Sequence, residues 1–222
     1  MANTSAARKS SPRQRKTAAP EADASIRAPQ QARSRRRVDD ILGATKDLIV
    51  EHGSAGLKIQ DIAARAGITA GSIYQYFPNK GAIIEELGHQ YFAAAGGLIV
   101  DHLNPKPGSM EEMEDRLRVI FEAYVDLHIA DPVARDIFRA VAADKSLEEL
   151  DRQDTLRNVK NAYAATKHLF APEQAAEVRR RLWLSFQMSR AVVAMVIDAG
   201  PKERIALIRS AQDMLSGAIN PS

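Results

Sequence analysis

Glu86 and His89 stand three positions apart, the Glu-x-x-His spacing with which helical bundles hold di-iron centres. Such a centre needs a second copy of the motif and two further glutamates, and the chain has no second copy. His52, His89, His102, His128 and His168 are scattered, with no zinc-ligand spacing, and there is no cysteine. Neither a Gly-x-Ser-x-Gly elbow nor a phosphate-cradling glycine loop is present. No catalysis, metal or cofactor is therefore expected. A different chemistry gathers between Thr69 and Lys80, where "TAGSIYQYFPNK" packs hydroxyls, an amide and an amine into one short stretch. Gln75 can hydrogen-bond an adenine edge in bidentate fashion, and Ala70 or the Thr69 methyl can touch a thymine methyl. Tyr76 and Lys80 suit phosphate oxygens.

Such a set is useful only if a rigid element presents it. Ile59, Ile62, Ala63 and Ala66 fit a short helix that ends at Gly67, where a positive φ permits a sharp turn. Thr69 is placed to cap the next helix, whose inward residues are Ile73 and Phe77. Ser72, Gln75 and Tyr76 then share the outward face. Two short helices joined by a tight glycine turn, with small Ala63 at their crossing, predict a helix-turn-helix. A helix this short is unstable alone, so Leu42, Leu48 and the helix after Pro78 are expected to bury its inner face.

The segment "IQDIAARAGITAGSIYQYFPNK" strongly resembles the N-terminal module of tetracycline-repressor-like (TetR family) regulators. The resemblance covers about residues 34–90: the Ile62-Ala63 pair, Ala66-Gly67, Gly71-Ser72-Ile73-Tyr74, Tyr76-Phe77 and Lys80. It implies DNA contacts at Gln60, Thr69, Ala70, Gly71, Ser72, Tyr74, Gln75, Tyr76 and Lys80. It also implies a homodimer on a palindromic double-stranded operator and a helical C-terminal domain that often takes a small inducer. Two positions depart from the family pattern. Lys58 stands where a capping threonine is usual, removing a hydroxyl cap while offering a charged phosphate contact. Gly81 stands where an acidic residue often favours the start of the fourth helix, so a looser start is expected there.

Beyond this module the pattern is helical throughout, so the fold class is all-α: a three-helix DNA-binding head (33–80) and a helical ligand-binding and dimerisation domain (81–222). Helical spacing starts at Arg33, with Gly53 as a left-handed stop. Asn104–Ser109 ("NPKPGS") is a turn-forming break. Ser146 with Glu149 reads as a capping box. Pro172 opens a helix running to Gly200, and Pro201 opens the last. The penultimate helix is apolar on two faces. Val178, Leu182, Phe186, Val193 and Ile197 form one, and Leu184, Met188, Ala191 and Met195 the other. One face is expected on its own subunit and one on a partner, with Val193 placed at the interface and Ile205, Ile208, Ala211 and Leu215 joining a four-helix contact. Phe121, Tyr124, His128, Phe138, Tyr163, Trp183, Phe186 and Gln187 are candidates to surround a small apolar or amphipathic effector.

Charge is unevenly placed. Residues 1–37 hold ten Lys/Arg and two acids, a net of +8, whereas the rest of the chain nets −5. Residues 1–32 read as a disordered basic tail, either simply solvated or lying along a polyanion. The longest apolar run, Ala191–Ile197, is too short to cross a bilayer, and no secretory leader is recognisable. A cytoplasmic regulator is expected, most simply a repressor released by its effector. A DNA-bound adaptor governed by a protein partner, or an activator of the same fold, would read the same way.

Overall fold

The computed structural model describes residues 21–220, with side chains from residue 31 onward except Ser146. Contacts divide the chain within its first helix, at Asp39/Asp40. That helix, α1 (Glu21–His52), starts twelve residues before the position the sequence predicts. Ala, Arg and Gln are good helix formers, and extending an existing helix avoids the cost of a new nucleus. The helix thus takes in residues 21–32 of the segment read as a tail, and the first twenty residues of that segment lie outside the described part. Arg33, Arg35 and Arg36 are exposed.

From Asp40 onward the remaining helices are α2 (Ile59–Arg65), α3 (Ala70–Tyr74), α4 (Lys80–His102), α5 (Met110–Ala130) and α6 (Pro132–Ala143). They continue with α7 (Glu148–Thr166), α8 (Ala175–Asp198) and α9 (Pro201–Leu215). No strand occurs among the described residues. Gly53 and Gly67 take φ of 73° and 65°, the left-handed turns their positions imply. Asn79 caps α4, its Oδ1 accepting from Ala82 N at 2.9 Å. This cap compensates for the missing acid at Gly81, where a Cβ would come within 3.0 Å of that same oxygen. Ser109 and Asp131 cap α5 and α6 in the same way.

Helix α7 corrects an expectation. It follows a 3₁₀ turn at Lys145–Leu147, with Leu147 at its N-cap and no side-chain cap. Glu149 turns to Arg152 and Gln153 instead of back to the helix start. The side chain of Ser146 lies outside the described residues. Pro172 opens a separate 3₁₀ turn, and α8 proper begins at Ala175. Two apolar clusters fill the helical body. Ile99, Met113, Val159, Val178 and Leu182 form one, and Phe121, Val125, Phe138, Val193 and Val196 the other.

Candidate nucleic-acid interface and interior cavity

The head is set by burial of one side of each short helix. Ile41, Leu42, Leu48, Leu57, Ile59, Ile62, Ala63, Ile73 and Phe77 are all buried, with Ile73 at 0% exposure. That leaves Thr69, Gly71, Tyr74 and Gln75 exposed and Ala70, Ser72 and Tyr76 half-buried. Thr69 Oγ1 accepts from Ser72 N at 3.2 Å, and the two hydroxyls share a 2.9 Å hydrogen bond. The α3 start is thus held from within the outward face. Phe77 N donates to Ile73 O at 2.9 Å, drawing the chain back under the helix just after it ends. Lys58 is exposed at the N-cap of α2 and supplies no side-chain cap. Gln60 is exposed beside it. Lys80 donates its Nζ to Ala55 O at 3.3 Å, which holds it over the loop before α2. Arg65 pairs with Glu51 at 2.8 Å and braces α2 against α1; for so exposed a pair this is a modest contribution.

The helical body encloses a cavity among α4–α9, with room for the centres of water-sized groups over about 120 Å³. Its walls are largely apolar, from Phe92, Phe121, Ile137, Phe138 and Phe186. Its polar lining comes mostly from α5, α7 and α8. The His128 ring lies edge-on between Tyr124 and Phe138, at centroid distances of 4.7 and 5.0 Å. Burial holds its imidazole below the ordinary histidine pKa. Burial likewise pushes the Tyr124 phenol up to about 12. Asp154 lies mostly buried, and desolvation raises its carboxyl despite an ion pair with Arg157 and a 2.9 Å hydrogen bond from Asn158 Nδ2. Arg190 is paired with Asp151 and lies 5.0 Å from the Phe138 ring centroid.

Two sets of contacts join the functional regions: Lys46 of α1 reaches Gln90 at 3.3 Å and lies 5.7 Å from the ring centroid of the cavity-lining Tyr91 on α4, and the loop after α1 reaches α6. Ser54, in the loop after α1, donates its N–H to Asp136 Oδ1 on α6 at 3.0 Å. Gly53 permits this approach, because a Cβ there would lie 3.3 Å from Asp136 Oδ2. The residues following Asp136, Ile137 and Phe138, line the cavity.

The sequence pattern of bacterial regulatory proteins of the tetR family matches residues 41–87. That of the tetracyclin repressor-like C-terminal domain matches residues 111–221, half of the chain. The chain belongs to the TetR family of transcriptional regulators. The HTH-type transcriptional repressor KstR2 of Mycolicibacterium smegmatis is 28% identical over 100 residues, spanning 45% of this chain and 48% of that relative. A TetR-family regulator from Streptomyces coelicolor superposes with a TM-score of 0.66 at 18% identity, covering 84% of this chain and 97% of that one. FadR of Bacillus subtilis, solved in complex with stearoyl-CoA, gives 0.61 at 17% identity, covering 82% and 98%. At such identities these structures establish the fold.

Within the regulator's cavity, Phe121, Tyr124, His128, Phe138 and Phe186 come together. Three other candidates do not line it. Tyr163 packs on the Ile99–Leu182 cluster with the Arg179 guanidinium 4.5 Å from its ring centroid. Trp183 is 38% exposed on the outer side of α8, and Gln187 is half-buried away from the lining. A helical period of 3.6 puts these three near the apolar stripe but on its flank. Val193 is also corrected: at 1% exposure it belongs to the regulator's own core. The uncovered apolar face is instead Trp183, Leu184 (46%) and Met195 (51%), with Ile205 and Met214 exposed on α9. The sequence reading missed Asp154, Thr155 and Asn158. A signal existed, since Thr155, Asn158, Val159, Ala162 and Thr166 fall on one helical stripe and all are buried.

Proposed function

We propose that this regulator is a homodimeric repressor that leaves a palindromic operator when a small amphipathic effector fills the α4–α9 cavity. The observation that carries this reading is the sharing of α6. One side of that helix lines the cavity through Ile137 and Phe138, while Asp136 beside them holds the loop of the DNA-binding head. A ligand that displaces α6 would move the head through that hydrogen bond. Repression is supported by the partial match to a named repressor, and an amphipathic effector by the stearoyl-CoA held in a structure of the same fold. Gln60, Ala70, Ser72, Tyr74 and Gln75 would face the major groove, and Lys58, Tyr76 and Lys80 the phosphates. Pairing would cover the Trp183–Leu184–Met195 face with its counterpart on a second copy.

Selection of bound sites from random DNA, followed by footprinting, tests the first half: two half-sites about one helical turn apart are expected. A thermal-shift screen of metabolites tests the second half, since a ligand of the native state raises apparent stability. A selected operator that no cavity ligand releases would transfer control to a protein partner.

A further inference from the structure

Two acceptors on residues of the cavity lining lack a donor among the described residues. Asn158 is nine-tenths buried, and its Nδ2 is spent on Asp154. Its Oδ1 has no donor among the described residues. That oxygen faces α4 at Gly96, where a Cβ would stand 2.9 Å away, so only the missing side chain lets it sit there. An unsatisfied buried carbonyl is costly, and one kept in a fold calls for an explanation, a water, an ion or a ligand group among them. His128 adds a second acceptor. Its Nδ1 lies 2.8 Å from Tyr124 O, and because a carbonyl can only accept, Nδ1 must carry the hydrogen. In the neutral ring that burial favours, Nε2 is then a bare lone pair, and no described residue donates to it. Both residues line the same cavity.

The charged groups point the same way. The cations on the described lining are Arg118 and Arg190, and each is matched to a carboxylate, Asp115 and Asp151 respectively. Glu114 and the desolvated Asp154 add further acceptor oxygens. An anionic head would find no uncommitted cation and would face these oxygens. A hydroxyl or ammonium head would satisfy them.

We propose that the cavity selects an amphipathic effector whose polar end carries hydrogen-bond donors, read by Asn158 Oδ1 and His128 Nε2, and discriminates against carboxylates and donor-free heads. This rests on the effector reading above. The full-length protein is titrated below micellar concentrations with decanol, decylamine, decanoate and decyl methyl ether, and binding is followed by thermal shift and calorimetry. Decanol or decylamine should bind at least about ten-fold more tightly than the ether and decanoate, because a site built around a buried partner rejects analogues that lack the matching group. Comparing those two separates hydroxyl from ammonium. Asn158→Leu and His128→Phe should bring the alcohol-to-ether ratio towards one while the ether still binds. The wild-type ratio decides the matter even if a variant fails to fold. Equal affinity for all four, or preference for decanoate, overturns this inference and leaves the effector cavity standing. No saturable binding of any of the four overturns both.

Discussion

Replacing Asp136 by alanine should separate effector binding from DNA release. Its Oδ1 accepts the Ser54 N–H at 3.0 Å, and the two groups lie 82 positions apart in the chain. A hydrogen bond to a charged acceptor contributes about 1.5–3 kcal/mol, and the half-buried setting of Asp136 reduces this to about 1–2 kcal/mol. Coupling between two sites is commonly about 1–3 kcal/mol, so this one contact is large enough to carry most of it. Asp136 does not line the cavity, although Ile137 and Phe138 do. Effector affinity of the free protein should therefore change little. The ratio of operator affinities without and with effector should fall by about 5–30-fold. The assay is fluorescence anisotropy on the selected operator, with and without the ligand found in the thermal screen. Gly53→Ala attacks the same contact from the other side: it crowds Asp136 Oδ2 and strains a φ of 73°. A ratio within two-fold of wild type in both variants, alongside an ordinary loss of melting temperature, would refute the coupling role and leave Asp136 a stabilising residue only.

Three further outcomes are expected. Gln75→Ala should cost about 1–3 kcal/mol at one base pair per half-site, while Lys80→Ala should weaken all sequences alike and lower the salt slope by about one; binding titrations against operator variants at several salt concentrations separate them. Leu184→Asp should leave a folded monomer by sedimentation, because Leu184 lies on the exposed face, whereas Val193→Asp should unfold the chain by about 3 kcal/mol or more in denaturant titration. Stability should fall as pH drops below the ordinary histidine value of about 6.5, since the unfolded chain takes up a proton there that buried His128 resists; the same titration of His128→Phe should lack that step.

The head was legible because its determinants are local. Thr69 caps three residues ahead, Gly67 turns where only a positive φ fits, and Ile73 and Phe77 lie one turn apart. Each of these is a short-range rule, so no knowledge of neighbouring helices was needed. The cavity was only half legible for the opposite reason. Periodicity says that α8 has two apolar faces, but which of them meets α5, α6 and α9 depends on helices far away in the chain. Val193 was therefore placed on the wrong side. The polar floor was harder still, since an Asp and an Asn in α7 look solvated until α4 is seen to bring Gly96 against Asn158. The start of α1 shows a third limit: composition that suggests disorder is also composition that prolongs a helix once one exists.

Trp183 has a use that its surroundings do not advertise. It is the chain's only tryptophan, it sits on the uncovered face of α8, and it lies off the cavity lining. Its emission consequently belongs to one event. Covering that face in the proposed pair would move the indole from water into an apolar contact and shift its fluorescence to the blue, whereas a ligand entering the cavity would leave its immediate surroundings in place. The protein thus carries a built-in optical gauge of self-association, readable without labels across a dilution series and independent of whether the effector is present.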